Sequence, residues 1–162
     1  MTVSRLIFDA ARQNGMPVDL ANFIVAQARH ETNDFTSNVF KSCNNAFGYK
    51  YVGQRTAAGE CTRAPEGGHY ARYNKVEDSV NELVGWIRRR QADKIFPSSL
   101  ATIDTAEKYS QVLKLAGYYG DPVTVYTNGL KKFKVSYGVP IAFGAVAILL
   151  TALLLYRQSK RK

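Results

Sequence analysis

The sequence predicts an α+β fold, mainly helical with a small β-lobe, followed by one C-terminal helix long enough to cross a membrane. Three observations predict it. Apolar residues recur at helical spacing before residue 32 and again after residue 75. Residues 49–72 lack that period, are rich in Gly, Tyr and Thr, and carry the turn signals Ala57-Ala58-Gly59 and Pro65-Glu66-Gly67-Gly68. Residues 135–156 contain no charged side chain. As a helix they would reach about 33 Å, enough for a hydrocarbon core of roughly 30 Å. Pro140 and Gly144 lie in its first half, where a membrane helix tolerates them.

The elements follow in order. Val3, Leu6, Ile7 and Ala10 set the buried face of a first helix, and Gly15 stops it. Pro17 opens a second helix, where its missing N–H costs nothing. Leu20, Phe23, Ile24 and Ala28 form the apolar stripe of that helix, which runs to about Thr32. Residues 49–72 form a hairpin or a lobe of irregular strands. Asn74 is placed to cap a third helix, with Glu77 closing a capping box and Val76, Val80, Leu83, Val84 and Ile87 facing inward. Trp86 of this helix is expected in the core rather than as a substrate platform. A further helix starts near Thr102 or Asp104 and ends at Gly117, with Tyr109, Val112, Leu113 and Ala116 inward. Asp121-Pro122 then caps a last short helix. The expected organisation is a domain over 1–130, a basic segment 131–134, a membrane helix 135–156 and a basic tail 157–162.

Charge narrows the function classes. The chain carries 22 Lys+Arg against 13 Asp+Glu, a net charge of +9. Lys131, Lys132, Lys134, Arg157, Lys160, Arg161 and Lys162 bracket the apolar run, and without them the remainder is nearly balanced. The basic excess therefore suits anionic lipid headgroups and argues against nucleic acid as a partner. The positive-inside rule favours a cytoplasmic C-terminus by a narrow margin. Residues 1–14 have no apolar h-region and contain Asp9, so they do not read as a signal peptide. Two cysteines and the scattered His30 and His69 lack metal-ligand spacing, and no cofactor is expected. A Cys–His nucleophile pair has no supporting context.

One residue breaks the pattern of the second helix. Glu31 follows Ile24 by seven positions and Gln27 by four, so it continues the apolar stripe to the helix end. Carboxylates are rarely placed on a buried face. Desolvation there favours the neutral form, which a general acid needs near neutral pH. The alternative is an exposed helix-end glutamate or half of a surface ion pair. His30 is expected to face away into solvent.

The surrounding residues are more specific. Gln27-x-x-x-Glu31-Thr32-x-x-Phe35-x-Ser37 is followed by Asn44-Asn45-x-Phe47-Gly48-x-Lys50. Further on come Tyr70-Ala71-Arg72-Tyr73 with Val76-Glu77-Asp78-Ser79-Val80, then Leu115-Ala116-Gly117-Tyr118-Tyr119-Gly120-Asp121-Pro122. In this order, over residues 17–130, the chain resembles the glucosaminidase-type peptidoglycan hydrolases of glycoside hydrolase family 73. That family includes bacterial autolysins, flagellar rod-associated muralytic domains and many phage lysins. The resemblance implies a lysozyme-like fold with a cleft between the helices and the β-lobe.

It also implies hydrolysis of β-1,4 bonds in peptidoglycan glycan strands, with Glu31 protonating the leaving oxygen. Glycosidases commonly pair such an acid with a second carboxylate. Glu60 and Glu66 are the lobe candidates, and Glu60 is preferred because Gly59 leaves its turn free to swing over a sugar. Asp34 is a third candidate, with a local helix-end role as its alternative. A substrate-assisted route through the N-acetyl group needs no second carboxylate. Tyr73 matches the family tyrosine expected near the reacting sugar; core packing is its other reading. Gln27, Asn45, Phe47, Glu66, Tyr70 and Tyr118 complete the expected substrate-binding set, with Phe47 beneath the glutamate and Tyr118 toward substrate. Asn44 and Asn45 also suit the turn itself, their amides bonding backbone.

Cys43 and Cys61 are the one available pair. A disulfide between them would tie the Asn-Asn turn to the lobe and imply an oxidising destination, whereas two reduced thiols remain the other reading. A wall hydrolase with a C-terminal anchor and no signal peptide suggests a phage protein held in a membrane, sharpest as a virion-internal membrane, with virion structural proteins as partners. The alternatives are a lysis-stage endolysin, a lytic transglycosylase, and a non-catalytic virion assembly protein on a degenerate hydrolase fold.

Overall fold

A computed structural model describes residues 1–138. The helices are α1 (Val3–Gln13), α2 (Val18–Glu31), α3 (Asn38–Cys43), α4 (Val76–Ala92), α5 (Ala106–Leu115) and α6 (Val123–Lys132), with a 3-10 turn at Leu100–Thr102. Between α3 and α4, strands β1 (Gly59–Arg63) and β2 (His69–Arg72) form one antiparallel hairpin. Its register pairs Gly59 with Arg72 and Glu60 with Ala71, then shifts before Arg63 meets His69. The architecture is the expected one: a helical body and a small β-lobe.

Helix α2 is the axis of the helical body. Every residue from Leu20 to Ala28 is buried, so the helix is enclosed all round and presents no solvated face there. α1 packs on it and on α4, while α6 packs on it and on α5. Phe8, Ile24, Leu83, Ile87, Tyr109 and Leu130 fill the spaces between them. Burying α2 so completely makes its C-terminal end a fixed point, and Glu31 is its last residue.

The β-lobe has little core of its own and is held to the body by specific bonds. α3 packs against both strands. The Asn45 amide donates to the carbonyls of Tyr49 and Ala71, while its Oδ1 accepts from the N–H groups of Phe47 and Tyr49. Cys43 and Cys61 form a disulfide, Cα–Cα 6.0 Å, joining the end of α3 to β1. That bridge was one of two readings open in the sequence; the lobe's position relative to α3 decides it.

Several helix boundaries differ from expectation. Asn74 does not cap α4; Lys75 occupies the cap position with no side-chain bond. Thr105 caps α5 by accepting from the Lys108 N–H. Pro122 precedes α6, and Asp121 provides no cap bond. A polar segment that showed no helical period contains α3, started by the Ser37 hydroxyl accepting from the Phe40 N–H.

No helix among the described residues is long and apolar enough to cross a membrane. Of the apolar run 135–156, only 135–138 is described, and this part has no regular secondary structure. It docks on the body instead. Asn22 clamps the backbone of Tyr137, accepting from its N–H at 2.8 Å and donating to its carbonyl at 3.1 Å. The Tyr137 ring lies 5.2 Å from that of Phe8, with the Arg5 guanidinium above it. The expected membrane helix and basic tail otherwise fall outside the described residues.

Candidate active site

The segment after Glu31 is bent sharply. Asn33, Asp34 and Phe35 all have positive φ, 49°, 57° and 65°, a costly run for residues with a Cβ. Thr32 makes it possible. Its hydroxyl donates to the Ala28 carbonyl and accepts from the Phe35 N–H, and its own carbonyl receives Thr36 and Ser37. Asp34 pairs with Arg29 at 2.7 Å, which holds its carboxylate below the usual range. Asp34 is thus a clamp of the turn and lines no cleft. The bend turns the chain aside at the end of α2 and leaves Glu31 open to solvent.

Glu31 faces a cleft of about 550 Å³ between the helical body and the β-lobe. One wall carries Tyr118, Tyr119 and Tyr126; Phe47 and Gly48 lie below; Lys50, Glu66 and Tyr70 come from the lobe side; Trp86 and Arg90 of α4 also line it. A second depression of about 180 Å³ shares Glu31, Gly48 and Tyr70 with the first and extends to Ser37, Val39 and Asn45. Glu31 therefore stands where two stretches of groove meet.

The carboxylate is reached by solvent through the cleft mouth but is walled by protein, and that desolvation raises its pKa above the ordinary value. The Tyr126 hydroxyl donates to Glu31 Oε1 at 2.6 Å and works in the opposite direction, favouring the ionised form. Burial pushes the Tyr126 hydroxyl itself far up, so it remains a donor. Its ring is stacked on Tyr119 with centroids 3.9 Å apart and meets the His30 edge at 5.1 Å. His30 is seated tightly: a Cβ on Gly129 would come within 2.4 Å of its ring. Burial lowers the His30 pKa, so its ring is neutral at neutral pH.

Besides Glu31 the cleft is lined by two carboxylates, Glu66 from the lobe and Asp121 from the segment before α6. Of the two lobe candidates it is Glu66, not the preferred Glu60, that lines it. Glu66 lies in the Pro65–Gly68 turn and pairs with Lys50 at 3.3 Å. A backbone N–H, then the Lys50 ammonium, lowers its pKa, so it is ionised where Glu31 is protonated. Glu60 pairs with His69 on the hairpin at 3.2 Å and is not among the cleft residues. Glu60 lies within β1, whereas Glu66 lies in the turn beyond the strand, and that turn reaches the cleft.

Three other expectations need revision. Tyr73 is 1% exposed and does not line the cleft; core packing is the reading the structure supports. Gln27 is fully buried and touches no open groove. It accepts from the Tyr109 hydroxyl at 2.5 Å and supports the floor behind Glu31. Asn45 borders the smaller depression, but its amide is spent on backbone. Phe47, Tyr70 and Tyr118 do line the cleft, and the Tyr118 hydroxyl donates to the Phe47 carbonyl at 3.0 Å.

Sequence reasoning missed His30, Trp86 and Tyr126. His30 is expected in solvent and Trp86 in the core, yet both are half-buried in the cleft wall. Tyr126 carried a usable signal: it lies four residues before Leu130, the spacing of one inward helix face. Among the described residues no cluster of His, Cys, Asp or Glu is arranged to hold a metal ion.

Two solved structures have this fold. A chain of a type VI secretion system effector–immunity complex from Pseudomonas protegens superposes with a TM-score of 0.59 at 13% identity, over 80% of this chain and 84% of that one. The catalytic domain of the autolysin Auto from Listeria monocytogenes superposes with a TM-score of 0.53 at 19% identity, over 81% of this chain and 77% of that one. Comparison with curated protein sequences finds no significant match. The Glucosaminidase family model, described as mannosyl-glycoprotein endo-beta-N-acetylglucosaminidase, matches residues 5–138. The chain belongs to this glucosaminidase family of glycoside hydrolases.

Proposed function

We propose that the protein is an endo-β-N-acetylglucosaminidase that cuts the β-1,4 bonds of peptidoglycan glycan strands, with Glu31 as general acid and Glu66 as the second carboxylate. The observation that carries this reading is the divergence of the two glutamates. They line one cleft, and their surroundings push Glu31 up and Glu66 down. That is the division of labour an acid and an ionised partner need. Glu31 gives its proton to the leaving oxygen, and Tyr126 fixes which carboxylate oxygen is turned away from the sugar. Glu66 activates water or stabilises the developing positive charge. Groove on both sides of Glu31 suits cleavage within a strand.

The disulfide fits an oxidising compartment, which is where the wall lies. The uncharged apolar run 139–156 and its basic flanks support attachment to a membrane. Within that reading we place the protein in a phage particle, delivering the hydrolase to the wall at entry. Its detection in purified virions supports this setting; expression late in infection without virion association refutes it.

Digestion of purified sacculi with the full chain and with Glu31→Gln tests the catalytic assignment. Wild-type protein should release fragments ending in reducing N-acetylglucosamine, and Glu31→Gln should release none. Reducing-end N-acetylmuramic acid or anhydro-muramyl products would replace the proposed bond specificity with a muramidase or a lytic transglycosylase.

A further inference from the structure

The last three residues of α2 each engage α6, in reverse order along it. Arg29 donates from Nη1 to the carbonyl of Phe133, the residue that caps α6, at 3.2 Å, and its guanidinium lies 5.2 Å from the Phe133 ring centroid. The His30 ring packs against Gly129 and stands across Tyr126 at 88°, centroids 5.1 Å apart. Glu31 accepts from the Tyr126 hydroxyl at 2.6 Å. Tyr126, Gly129 and Phe133 are three and four positions apart, the spacing of one helix face. That face of α6 is fastened to the end of α2 at three successive points.

The middle point sets the spacing. A Cβ on Gly129 would stand 2.6 Å from His30 Nδ1 and 2.8 Å from Nε2, whereas ordinary contact is about 3.5–4.0 Å. Gly129 lies inside α6 and is not among the glycines with positive φ. Alanine is the better helix former at such a position, so the glycine answers a need for room and not for backbone freedom. The His30 ring is flanked by those of Tyr126 and Phe133, which limits how far it can give way. α6 is held from its other side by the Lys131–Glu107 ion pair with α5. The reach of Tyr126 to Glu31 therefore depends on how closely the two helices approach at Gly129.

We propose that Gly129 is a positioning residue for the catalytic acid: the room it leaves for His30 brings α6 close enough to α2 for Tyr126 to fix the Glu31 carboxylate. Gly129 does not line the cleft and acts only through Tyr126. The inference rests on the reading of Glu31 as general acid. A displacement of about 1 Å carries the 2.6 Å bond beyond hydrogen-bond range. Glu31 then samples orientations that do not present its proton to the leaving oxygen, and kcat falls. Sugar binding by the cleft walls is untouched, so KM stays.

The test measures kcat and KM of the full chain on soluble peptidoglycan strands. Gly129→Ala should lower kcat about tenfold, the scale of one hydrogen bond, with KM within about twofold of wild type. The loss should vanish in two backgrounds. His30→Ala removes the ring that the new methyl meets, and Tyr126→Phe has already lost the bond, so adding Gly129→Ala to either should cost no more than about twofold. Arg29→Lys keeps the charge but loses the fork that reaches Phe133; it should lower kcat less in Tyr126→Phe than in wild type, and it serves the same comparison if Gly129→Ala does not fold. Wild-type kcat in Gly129→Ala, a loss that falls on KM, or a loss that persists in either background overturns the proposal. Wild-type protein inactive on peptidoglycan, or Glu31→Gln as active as wild type, refutes the general-acid reading itself.

Discussion

The Tyr126 hydroxyl donates a 2.6 Å hydrogen bond to Glu31 Oε1 from 95 positions further along the chain, tying the end of α2 to the first turns of α6. This bond decides both the orientation of the carboxylate and part of its acidity. Desolvation raises the Glu31 pKa and the Tyr126 bond partly offsets that rise. A general acid loses activity as pH climbs through its pKa. Tyr126→Phe, which keeps the ring on Tyr119, should therefore move the alkaline limb of the pH–kcat/KM profile to higher pH. It should also lower kcat roughly tenfold through lost orientation. An unmoved limb, or one moved to lower pH, would refute the role given to Tyr126.

Glu31 should also cost the fold stability. Its folded pKa is raised, so the protonated acid is the favoured form and the ionised form is penalised in the native state. The penalty is absent below the unfolded pKa, where the group is protonated in both states, and is complete above the folded pKa. Glu31→Gln should therefore melt higher than wild type near neutral pH, with the gap closing as pH falls below the ordinary carboxylate range. Thermal unfolding of both proteins across pH measures this directly; a gap that widens in acid would contradict the sign.

The two lobe glutamates give a clean contrast. Glu66→Gln should reduce peptidoglycan digestion on the order of a hundredfold, because it removes the ionised partner in the cleft. Glu60→Gln breaks a surface pair with His69 and should stay within about twofold of wild type. Turbidity loss of sacculi reports both, and the reverse ranking would return the second-carboxylate role to β1.

The Cys43–Cys61 bridge closes a loop with a sequence separation of 18 around the segment that carries Phe47, Gly48 and Lys50. Serine at both positions should lower unfolding free energy by about 3 kcal/mol, the loop-closure value for this span. Urea titrations of the variant, and of wild type with and without reductant, check the figure. Reduced wild type should match the double variant. Activity should fall as well, since the disulfide fixes the lobe that holds Glu66 opposite Glu31.

The local code was readable where one element settles its own structure. The helical spacing of α1, α2, α4 and α5, and the turn residues around the hairpin, reported the α+β body and its lobe. Glu31 stood out because it continues an apolar stripe on a single helix, and the motifs around it carried the family, which matches over 5–138. Positive φ at Asn33, Asp34 and Phe35 could not be read, because nothing in those residue types demands it. Thr32 imposes it through two bonds that exist only once the helix end is formed.

The partners of Glu31 come from elsewhere in the chain, and only the tertiary structure decided them. Glu60 and Glu66 stand six residues apart on one hairpin, yet only the turn that carries Glu66 lines the cleft, while Glu60 is held in the pairing of β1 with β2. Tyr73 and Gln27 match motif positions, but the packing of lobe on body and of α5 on α2 buries them. Tyr126, Trp86 and Arg90 reach the cleft because α4 and α6 are docked around it. The sequence by itself determined the elements and the acid, since periodicity and local turn chemistry act within one segment. The set of groups around that acid depends on which faces of separate segments meet, and that is settled by packing.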